Sequence, residues 1–226
     1  FAGLDNLLAL LSDPAFLNAT QRTLIFTGVT VPVSLVLGIA VALAMNNIRR
    51  GSTVVRIGVL LPWLVPPVVA GLIWRWMFHD QVGMVNWILT STGILAQKQA
   101  WMAEVGTAMP SVIWVDVWAN TPMVAIILLA GIQAISGELY DAAKVDGATT
   151  IQRLRYVTLP LLRPQILIAL LLRTMFSLRA FDIVVMLAGS KYGSTAGNPA
   201  GTTQLYSLLI WQRAIENLRF GSSAAI

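Results

Sequence analysis

Four charged side chains lie within long apolar stretches of the sequence: Asp116, Arg173, Arg179 and Asp182. A charge at the middle of a bilayer costs about 2.5–3.5 kcal/mol on insertion scales, so such residues normally pair with one another or face a water-filled path. Arg179 and Asp182 are three residues apart, which predicts an ion pair on one helix. Pairing within the protein and lining of a polar path both remain open as interpretations.

The other residue types exclude several kinds of site from this sequence. It has no cysteine and a single histidine, His79, which excludes disulfides, thiolate metal sites and multi-histidine centres. No Gly-Lys-Ser/Thr sequence occurs, so the signature of a phosphate-binding loop for ATP is missing. No nucleophile–base pair or metal-ligand set is visible, which does not favour an intramembrane enzyme. We expect no cofactor and no metal in this chain.

Composition predicts an all-α, polytopic integral membrane protein. Of 226 residues, 57% are hydrophobic and 11% are charged, against about 45–50% and about 25% in soluble domains. The apolar runs predict four full transmembrane helices, at about 23–45, 57–78, 108–135 and 165–187. They must be helical because hydrocarbon offers the backbone no other hydrogen-bond partner. Pro62, Pro66 and Pro67 interrupt the second run, either as a tolerated kink or as a hinge.

The distribution of Lys and Arg between these spans predicts their orientation. The 46–56 loop has three such residues and the 136–164 segment has four, whereas the 79–107 loop has one. Because positively charged loops stay in the cytoplasm, the first two segments are predicted to be cytoplasmic and the third external.

Residues 136–160 are predicted to form two short helices separated by a turn. Ser136 is a candidate N-cap for the first helix, and Gly147 is placed to end it in a left-handed conformation. Thr149 and Gln152 have the spacing of a capping box for the second helix. Small residues on an exposed helix face suit docking into a groove of another protein, but an ordinary surface loop fits the periodicity equally well.

The order of residues in this segment resembles the EAA loop of ABC-importer permeases. The family pattern is Glu-Ala-Ala, three residues, Gly, nine residues and Ile-x-Leu-Pro. This sequence has Asp141-Ala142-Ala143, three residues, Gly147, nine residues and Val157-Thr158-Leu159-Pro160. It departs from the pattern at Asp141 and Val157, and both replacements conserve charge or shape.

Other segments extend the resemblance to the binding-protein-dependent, maltose-transporter-type family of carbohydrate uptake permeases. They are Leu61-Pro62-Trp63, Pro66-Pro67-Val68-Val69-Ala70-Gly71, Ile73-Trp74-Arg75-Trp76, Val115-Asp116-Val117-Trp118 with Thr121-Pro122, and Arg179-Ala180-Phe181-Asp182. Such permeases usually have six core helices. The resemblance therefore implies that 1–226 is a single transmembrane permease domain, incomplete at both ends, with 136–160 as its cytoplasmic EAA coupling loop.

The resemblance also implies the partners of the chain. These are a second permease subunit of the same family, a cytoplasmic ATPase dimer that binds ATP and Mg, an extracytoplasmic sugar-binding protein and the lipid bilayer, with no nucleic acid. The chain is then not an enzyme but a multi-pass permease of a bacterial or archaeal cytoplasmic membrane. The residues expected to couple it to the ATPase are Glu138, Asp141, Ala142, Ala143, Gly147, Leu159 and Pro160.

The leading functional interpretation is the permease subunit of an ATP-driven sugar importer. The same machinery for a glycerol phosphoester is an alternative. Cationic substrates such as polyamines are disfavoured because the spans, counting Arg75 near the end of the second, hold three Arg and two Asp. An ion-driven secondary transporter would predict repeated half-broken helices and would not account for the spacing of the EAA loop.

Helical periodicity selects candidate faces for the substrate path. One stripe of the third span has Asp116, Asn120 and Met123, and one stripe of the fourth has Leu172, Met175, Phe176 and Arg179. Each stripe combines polar groups with soft or aromatic surface, the mixture that a sugar requires. Helix–helix packing remains an open alternative for both stripes.

Overall fold

The computed structural model describes residues 5–48, 52–188 and 199–226, and regular structure in these ranges is entirely helical, which confirms the predicted all-α class. The first half of the chain contains α1 (Asp5–Leu11), α2 (Pro14–Asn47), α3 (Ser52–Leu64), α4 (Pro67–Met77), α5 (Met84–Ser91) and α6 (Val105–Ala134). The second half contains α7 (Gly137–Val145), α8 (Thr150–Arg153), α9 (Leu159–Leu161), α10 (Arg163–Leu178), α11 (Asp182–Ala188), α12 (Tyr206–Trp211) and α13 (Phe220–Ser223). A π-helical turn, Leu154–Thr158, joins α8 to α9, and a second, Gln212–Glu216, extends α12.

The first predicted span lies inside α2, which continues well beyond it at its N-terminal end. The Asp13 carboxylate accepts a hydrogen bond from the Ala15 backbone N–H at 2.9 Å, and Pro14 opens the helix, where no backbone N–H is needed. The 34 residues of α2 correspond to about 51 Å at 1.5 Å per residue. This length exceeds the hydrocarbon core of about 30 Å, so both ends of α2 reach the membrane surface.

The third predicted span corresponds to α6, whose 30 residues begin three residues earlier than predicted. In the described ranges, α2 and α6 are the two unbroken helices that are long and apolar enough to cross a membrane. Two interrupted helix pairs bring the number of candidate spans to four if each pair counts as one.

The second predicted span is divided into α3 and α4 at Val65 and Pro66. Pro66 has an extended backbone, with φ −53° and ψ 134°, because the residue before a proline is excluded from the helical region. Pro67 then opens α4. The interruption that the prolines predicted is therefore present, whereas Pro62 lies inside α3.

The fourth predicted span, at about 165–187, is interrupted, because α10 ends at Leu178 and α11 begins at Asp182. The Ala180 N–H donates to the Ser177 carbonyl at 3.2 Å, which closes the end of α10 with a tight turn. The carboxylate of Asp182 then lies in the first turn of α11, where a negative charge is favoured by the helix dipole. Since the helix is interrupted between them, Arg179 and Asp182 do not form the ion pair predicted for one helix.

The chain divides into two compact units, and α2, α6 and α10 contribute to both. The first unit comprises Phe1–Thr30, Val65–Asp116 and Phe176–Ile226. In it, α11 packs on α4, and a Cβ added at Gly71 would lie 2.6 Å from the Cβ of Met186. A glycine is therefore needed where these two helices make their closest approach.

The second unit comprises Val31–Leu64 and Val117–Met175. Its core brings together buried side chains of α2, α6 and α10, with Leu162 at the junction before α10. The members of this core are Ala42, Met45, Met123, Val124, Leu128, Leu129, Ile132, Leu162 and Ala169. At Gly131 an added Cβ would lie 2.7 Å from the side chains of Leu162 and Gln165, so α6 is held tightly against the start of α10.

Candidate functional site

The first helix of the coupling segment has the caps that the sequence predicts. The Ser136 hydroxyl accepts a hydrogen bond from the Glu138 N–H at 3.3 Å. Gly147 has φ +75°, and two hydrogen bonds close the turn, from the Gly147 N–H to the Lys144 carbonyl at 3.0 Å and from the Ala148 N–H to the Ala143 carbonyl at 2.9 Å. This pair of bonds is a Schellman motif, so the predicted left-handed end of α7 is confirmed.

The second helix of the segment begins with the predicted capping box. The Thr149 N–H donates to Gln152 Oε1 at 2.7 Å, and the Gln152 N–H donates to Thr149 Oγ1 at 3.3 Å. The Tyr140 hydroxyl and Thr158 Oγ1 share a hydrogen bond of 3.1 Å that connects this helix to α7. The helical run Thr150–Leu161 then meets α10 at a bend of 68°. The two short helices are therefore bonded to each other, and the second leads through this bend into α10.

The coupling segment presents large apolar side chains to its surroundings. No residue of α7 is buried, and Val145 and Ile151 expose 88% and 76% of their surface. Leu139 and Tyr156 are also exposed. Apolar patches of this kind mark surfaces that another molecule covers.

The predicted coupling residues lie together on this segment but differ in exposure. Glu138, Asp141, Ala142 and Gly147 are exposed, whereas Ala143, Leu159 and Pro160 are half-buried. A 2.7 Å ion pair joins the carboxylate of Asp141 to the ammonium group of Lys144. The hydrogen bond and the charge of Lys144 hold the pKa of Asp141 below its usual value, so this carboxylate is ionised at neutral pH.

The two predicted stripes of the substrate path differ sharply in burial. On α6, Asp116 and Met123 are buried, at 4% and 8% exposure, and Asn120 is half-buried. This burial supports a packing role for the α6 stripe. On α10 and in the turn that follows it, the whole predicted stripe is exposed: Leu172, Met175, Phe176 and Arg179.

Arg173, also on α10, is buried against another helix, which the sequence did not predict. It is the largest fully buried side chain in the described part of the chain, and its Nε donates to Ser34 Oγ of α2 at 3.2 Å. One turn further along α10, the Ser177 hydroxyl lies 3.0 Å from Thr27 Oγ1 and 3.0 Å from Thr30 Oγ1. Polar groups therefore connect α2 to α10 at membrane depth, where unsatisfied groups are expensive.

The first part of α2 makes similar contacts with the segment after residue 199. Thr20 Oγ1 accepts from the Tyr206 hydroxyl at 2.7 Å, and Thr23 Oγ1 accepts from the Tyr206 N–H at 3.1 Å. Asp13 pairs with the Arg213 guanidinium. Partial burial of Asp13 opposes its ionisation, but the hydrogen bonds from Arg213 and the Ala15 N–H outweigh this and hold its pKa below the usual 3.8. The sequence pattern that indicates these contacts is the recurrence of hydroxyl residues along α2 at i, i+3, i+4 spacing.

A buried asparagine organises the 79–107 loop, and sequence reasoning missed it. Asn86 of α5 is fully buried. Its amide nitrogen donates to the carbonyls of His79, Asp80 and Gln99 at 3.3, 3.0 and 2.9 Å. Its Oδ1 accepts from the Gln99 N–H at 3.0 Å and from Trp101 Nε1 at 2.9 Å. One side chain therefore joins the two ends of the loop. Across the described ranges, no group of three or more metal-binding side chains comes together.

Comparison with known proteins places these features in a family. Residues 34–224 match the family described as "Binding-protein-dependent transport system inner membrane component". The trehalose/maltose transport system permease protein MalF of Thermococcus litoralis is 39% identical over 209 residues, covering 92% of this chain and 68% of that protein. The sulfoquinovosyl glycerol transport system permease protein SmoG of Agrobacterium fabrum is 35% identical over 226 residues, covering 100% and 70%. The sn-glycerol-3-phosphate transport system permease protein UgpA of the same organism is 32% identical over 225 residues, covering 100% and 74%.

A solved structure agrees with this result. A chain in the crystal structure of a bacterial ABC transporter for the import of the acidic polysaccharide alginate superposes with a TM-score of 0.86 and 25% identity, covering 100% of this chain and 77% of the other. A chain of the alginate transporter in complex with alginate pentasaccharide-bound periplasmic protein has the same fold, with a TM-score of 0.80. The chain belongs to the family of inner membrane components of binding-protein-dependent transport systems, as the spacing of its EAA loop predicted.

Proposed function

We propose that the chain is the permease subunit of an ATP-driven importer for a sugar or a sugar derivative. Support comes from relatives named for trehalose and maltose and for sulfoquinovosyl glycerol, and from the fold of an alginate importer. An extracytoplasmic binding protein delivers the substrate, and the permease works with a second permease subunit in a bacterial or archaeal cytoplasmic membrane. ATP and Mg are bound by a separate ATPase dimer, so this chain carries no catalytic residue and no cofactor.

The observation that carries the proposal is the exposed, hydrogen-bonded helix–turn–helix at 136–160. Its apolar side chains Val145 and Ile151 suit a groove of the ATPase, and Glu138 and Asp141 add charges that fix the docking orientation. The Schellman turn at Gly147 and the bond between Tyr140 and Thr158 make the segment one rigid piece. A rigid piece transmits a displacement, whereas a flexible loop absorbs it.

The connection to the membrane helices lies within the second unit. The helical run after Thr149 leads directly into α10, and Leu162, at the bend, is buried against α6 near Gly131. A movement of the coupling segment by the ATPase therefore reaches α10 through packed side chains. Close packing of this kind favours discrete shifts of whole helices over gradual deformation.

The exposed stripe of α10 is the part of the proposed substrate path with the best support. Met175 and Phe176 offer soft and aromatic surface, and Arg179 offers hydrogen-bond donors. This mixture matches the apolar ring faces and hydroxyl edges of a sugar. We place Asp116, Asn120 and Met123 of α6 on the same path with less support, because their burial is also explained by packing.

A glycerol phosphoester is the second candidate substrate. The relative named for sn-glycerol-3-phosphate covers almost the whole chain, and the exposed guanidinium of Arg179 is suited to binding a phosphoryl group. A phosphoester would therefore use the same α10 stripe.

Uptake by the reconstituted transporter tests the proposal. The complete protein is inserted into proteoliposomes with its partner permease and ATPase, and its binding protein is added outside with radiolabelled trehalose, maltose, a sulfoquinovosyl glycoside or sn-glycerol-3-phosphate. We expect ATP-dependent accumulation of a sugar. Accumulation of glycerol phosphate alone would select the second candidate, and uptake driven by an ion gradient without ATP would reject both.

A further inference from the structure

A cavity of about 380 Å³ lies in the second unit beside the C-terminal end of α2. Its lining falls into two classes of side chain. Leu43 of α2, Ile132 of α6 and Leu154 of the π turn are apolar. The polar lining includes Asn46 at the end of α2 and the cation Arg153. The cavity is therefore amphipathic, with an apolar side and a polar, cationic side.

The polar side has a net positive charge. Of the described residues that line the cavity, two are cations, Lys144 and Arg153, and none is a carboxylate. Lys144 is neutralised by its ion pair with Asp141, which is outside the lining. Among the described residues Arg153 has no such ion pair; its Nη2 donates to Thr150 Oγ1 at 3.2 Å. Arg153 is therefore the charge available to a ligand.

One polar atom of Arg153 is unsatisfied. Its Nε is buried and has no acceptor among the residues that the structure describes. A buried donor on a charged group is costly to leave without a hydrogen bond, so such an atom calls for an explanation. Because Nε has almost no accessible surface, an anionic oxygen in the cavity would accept this hydrogen bond after a small rotation of the Arg153 side chain, and a phosphate group accepts from two guanidinium nitrogens at once.

The position of the cavity relative to the membrane narrows the choice of anion. Asn46 is in the last turn of α2, and Ile132 is in the last turn of α6, so both spanning helices end at this level. The apolar side chains continue the lipid-facing surface of the helices, and the polar ones begin where the hydrocarbon stops. Basic pockets between membrane helices on the cytoplasmic side bind phospholipid headgroups.

We propose that this cavity is a binding site for an anionic phospholipid, with Arg153 bound to the phosphodiester and the apolar lining covered by the first carbons of an acyl chain. Free phosphate would leave the apolar side uncovered. The ligand would also touch Tyr140 and Lys144 of α7, which line the cavity, so the site connects the lipid composition of the membrane to the coupling segment. The proposal goes beyond the transport function and requires only that α2 and α6 span the bilayer.

Native mass spectrometry of the complete transporter tests this proposal. The complex is reconstituted in nanodiscs with equal amounts of phosphatidylglycerol and phosphatidylcholine, and the lipids that remain bound after release are counted. We expect preferential retention of phosphatidylglycerol by the parent. Arg153→Gln should reduce this preference about fivefold, the contribution of one cation near a membrane surface. Arg155→Gln is the matched control, because Arg155 is exposed, two residues away and outside the cavity.

A second variant keeps the test valid if Arg153→Gln folds poorly. Asn46 is exposed, so Asn46→Asp adds a carboxylate at the cavity without disturbing the core, and it should lower the preference in the same direction. An unchanged preference in both variants would overturn the proposal. So would displacement of the lipid from the parent by excess inorganic phosphate, which would assign the site to the free anion.

The partner ATPase is the competing source of an anionic group. If Arg153→Gln weakens retention of the ATPase subunits in pure phosphatidylcholine, a protein carboxylate occupies the cavity and the lipid proposal is overturned. None of these measurements uses the substrate or ATP hydrolysis. Failure of the lipid site and failure of the transport function are therefore distinguishable.

Discussion

Replacing Gly147 by valine tests whether transport depends on the backbone conformation of the coupling segment and not only on the chemistry of its side chains. Gly147 has φ +75°, and a side chain in the left-handed region costs about 1–2 kcal/mol. A Cβ added there would meet nothing within 4 Å, so the whole penalty is conformational. A penalty of this size lowers the equilibrium constant for forming the Schellman turn by a factor of about 5–30. We expect transport to fall by up to that factor, because the second short helix is held in place for a smaller fraction of the time.

Two further variants control this experiment. Gly137→Val changes the glycine that begins α7, which also has free space around it but no left-handed backbone, and it should transport like the parent. Gly147→Asn places a residue that tolerates the left-handed conformation at the same position, and it should retain most activity. Uptake and binding-protein-stimulated ATP hydrolysis are measured in proteoliposomes, with membrane insertion checked by immunoblotting. Normal transport by Gly147→Val, or equal damage by Gly137→Val, would refute the reasoning.

Three other predictions follow from named contacts. Asp141→Lys removes the ion pair with Lys144 and reverses an exposed charge, so it should reduce copurification of the ATPase more than Asp146→Lys on the same segment. Phe176→Ala and Arg179→Ala should lower uptake while the complex and its stimulated ATP hydrolysis survive, whereas Leu167→Ala, exposed on the opposite face of α10, should have no effect. Normal uptake by both Phe176→Ala and Arg179→Ala would place the path elsewhere. The pKa of Asp13 is depressed by Arg213, so their pair stabilises the fold fully above pH 3.8 and progressively less as the pH falls through the lower folded pKa. Asp13→Asn should therefore lower the melting temperature at pH 7, with a difference from the parent that shrinks in strong acid; a pH-independent difference would contradict this.

Local signals in the sequence predicted the parts of the fold that depend on neighbouring residues. The caps at Ser136 and Gly147 and the box of Thr149 with Gln152 are complete within a few positions, and the break before Pro67 follows from proline stereochemistry. The two unbroken spans α2 and α6 were visible because about 20 consecutive apolar residues have few other solutions.

Features that depend on distant contacts were not predictable in the same way. The interruption at 179–181 has no proline or glycine. A mean hydropathy taken over about 20 residues also conceals a turn this short. Asn86 is bound by backbone carbonyls and a tryptophan from both ends of its loop, which no spacing rule displays. The partner of Arg173 on α2 is 139 residues away. The substrate path remains a prediction for the same reason, since the surfaces facing it come from several helices and chains.

Docking of the 136–160 segment of this permease on an ATPase can be tested by site-specific crosslinking. Since the chain has no native cysteine, Val145→Cys introduces a single thiol at the most exposed apolar side chain of α7. Val82→Cys, which is also exposed but lies in the 79–107 loop, is the control. We expect Val145→Cys in the assembled transporter to crosslink to the ATPase and to be protected from a water-soluble maleimide, with a yield that changes on addition of ATP, whereas Val82→Cys does neither. A Val145→Cys thiol that stays fully reactive and forms no crosslink to the ATPase would show that the segment does not dock there.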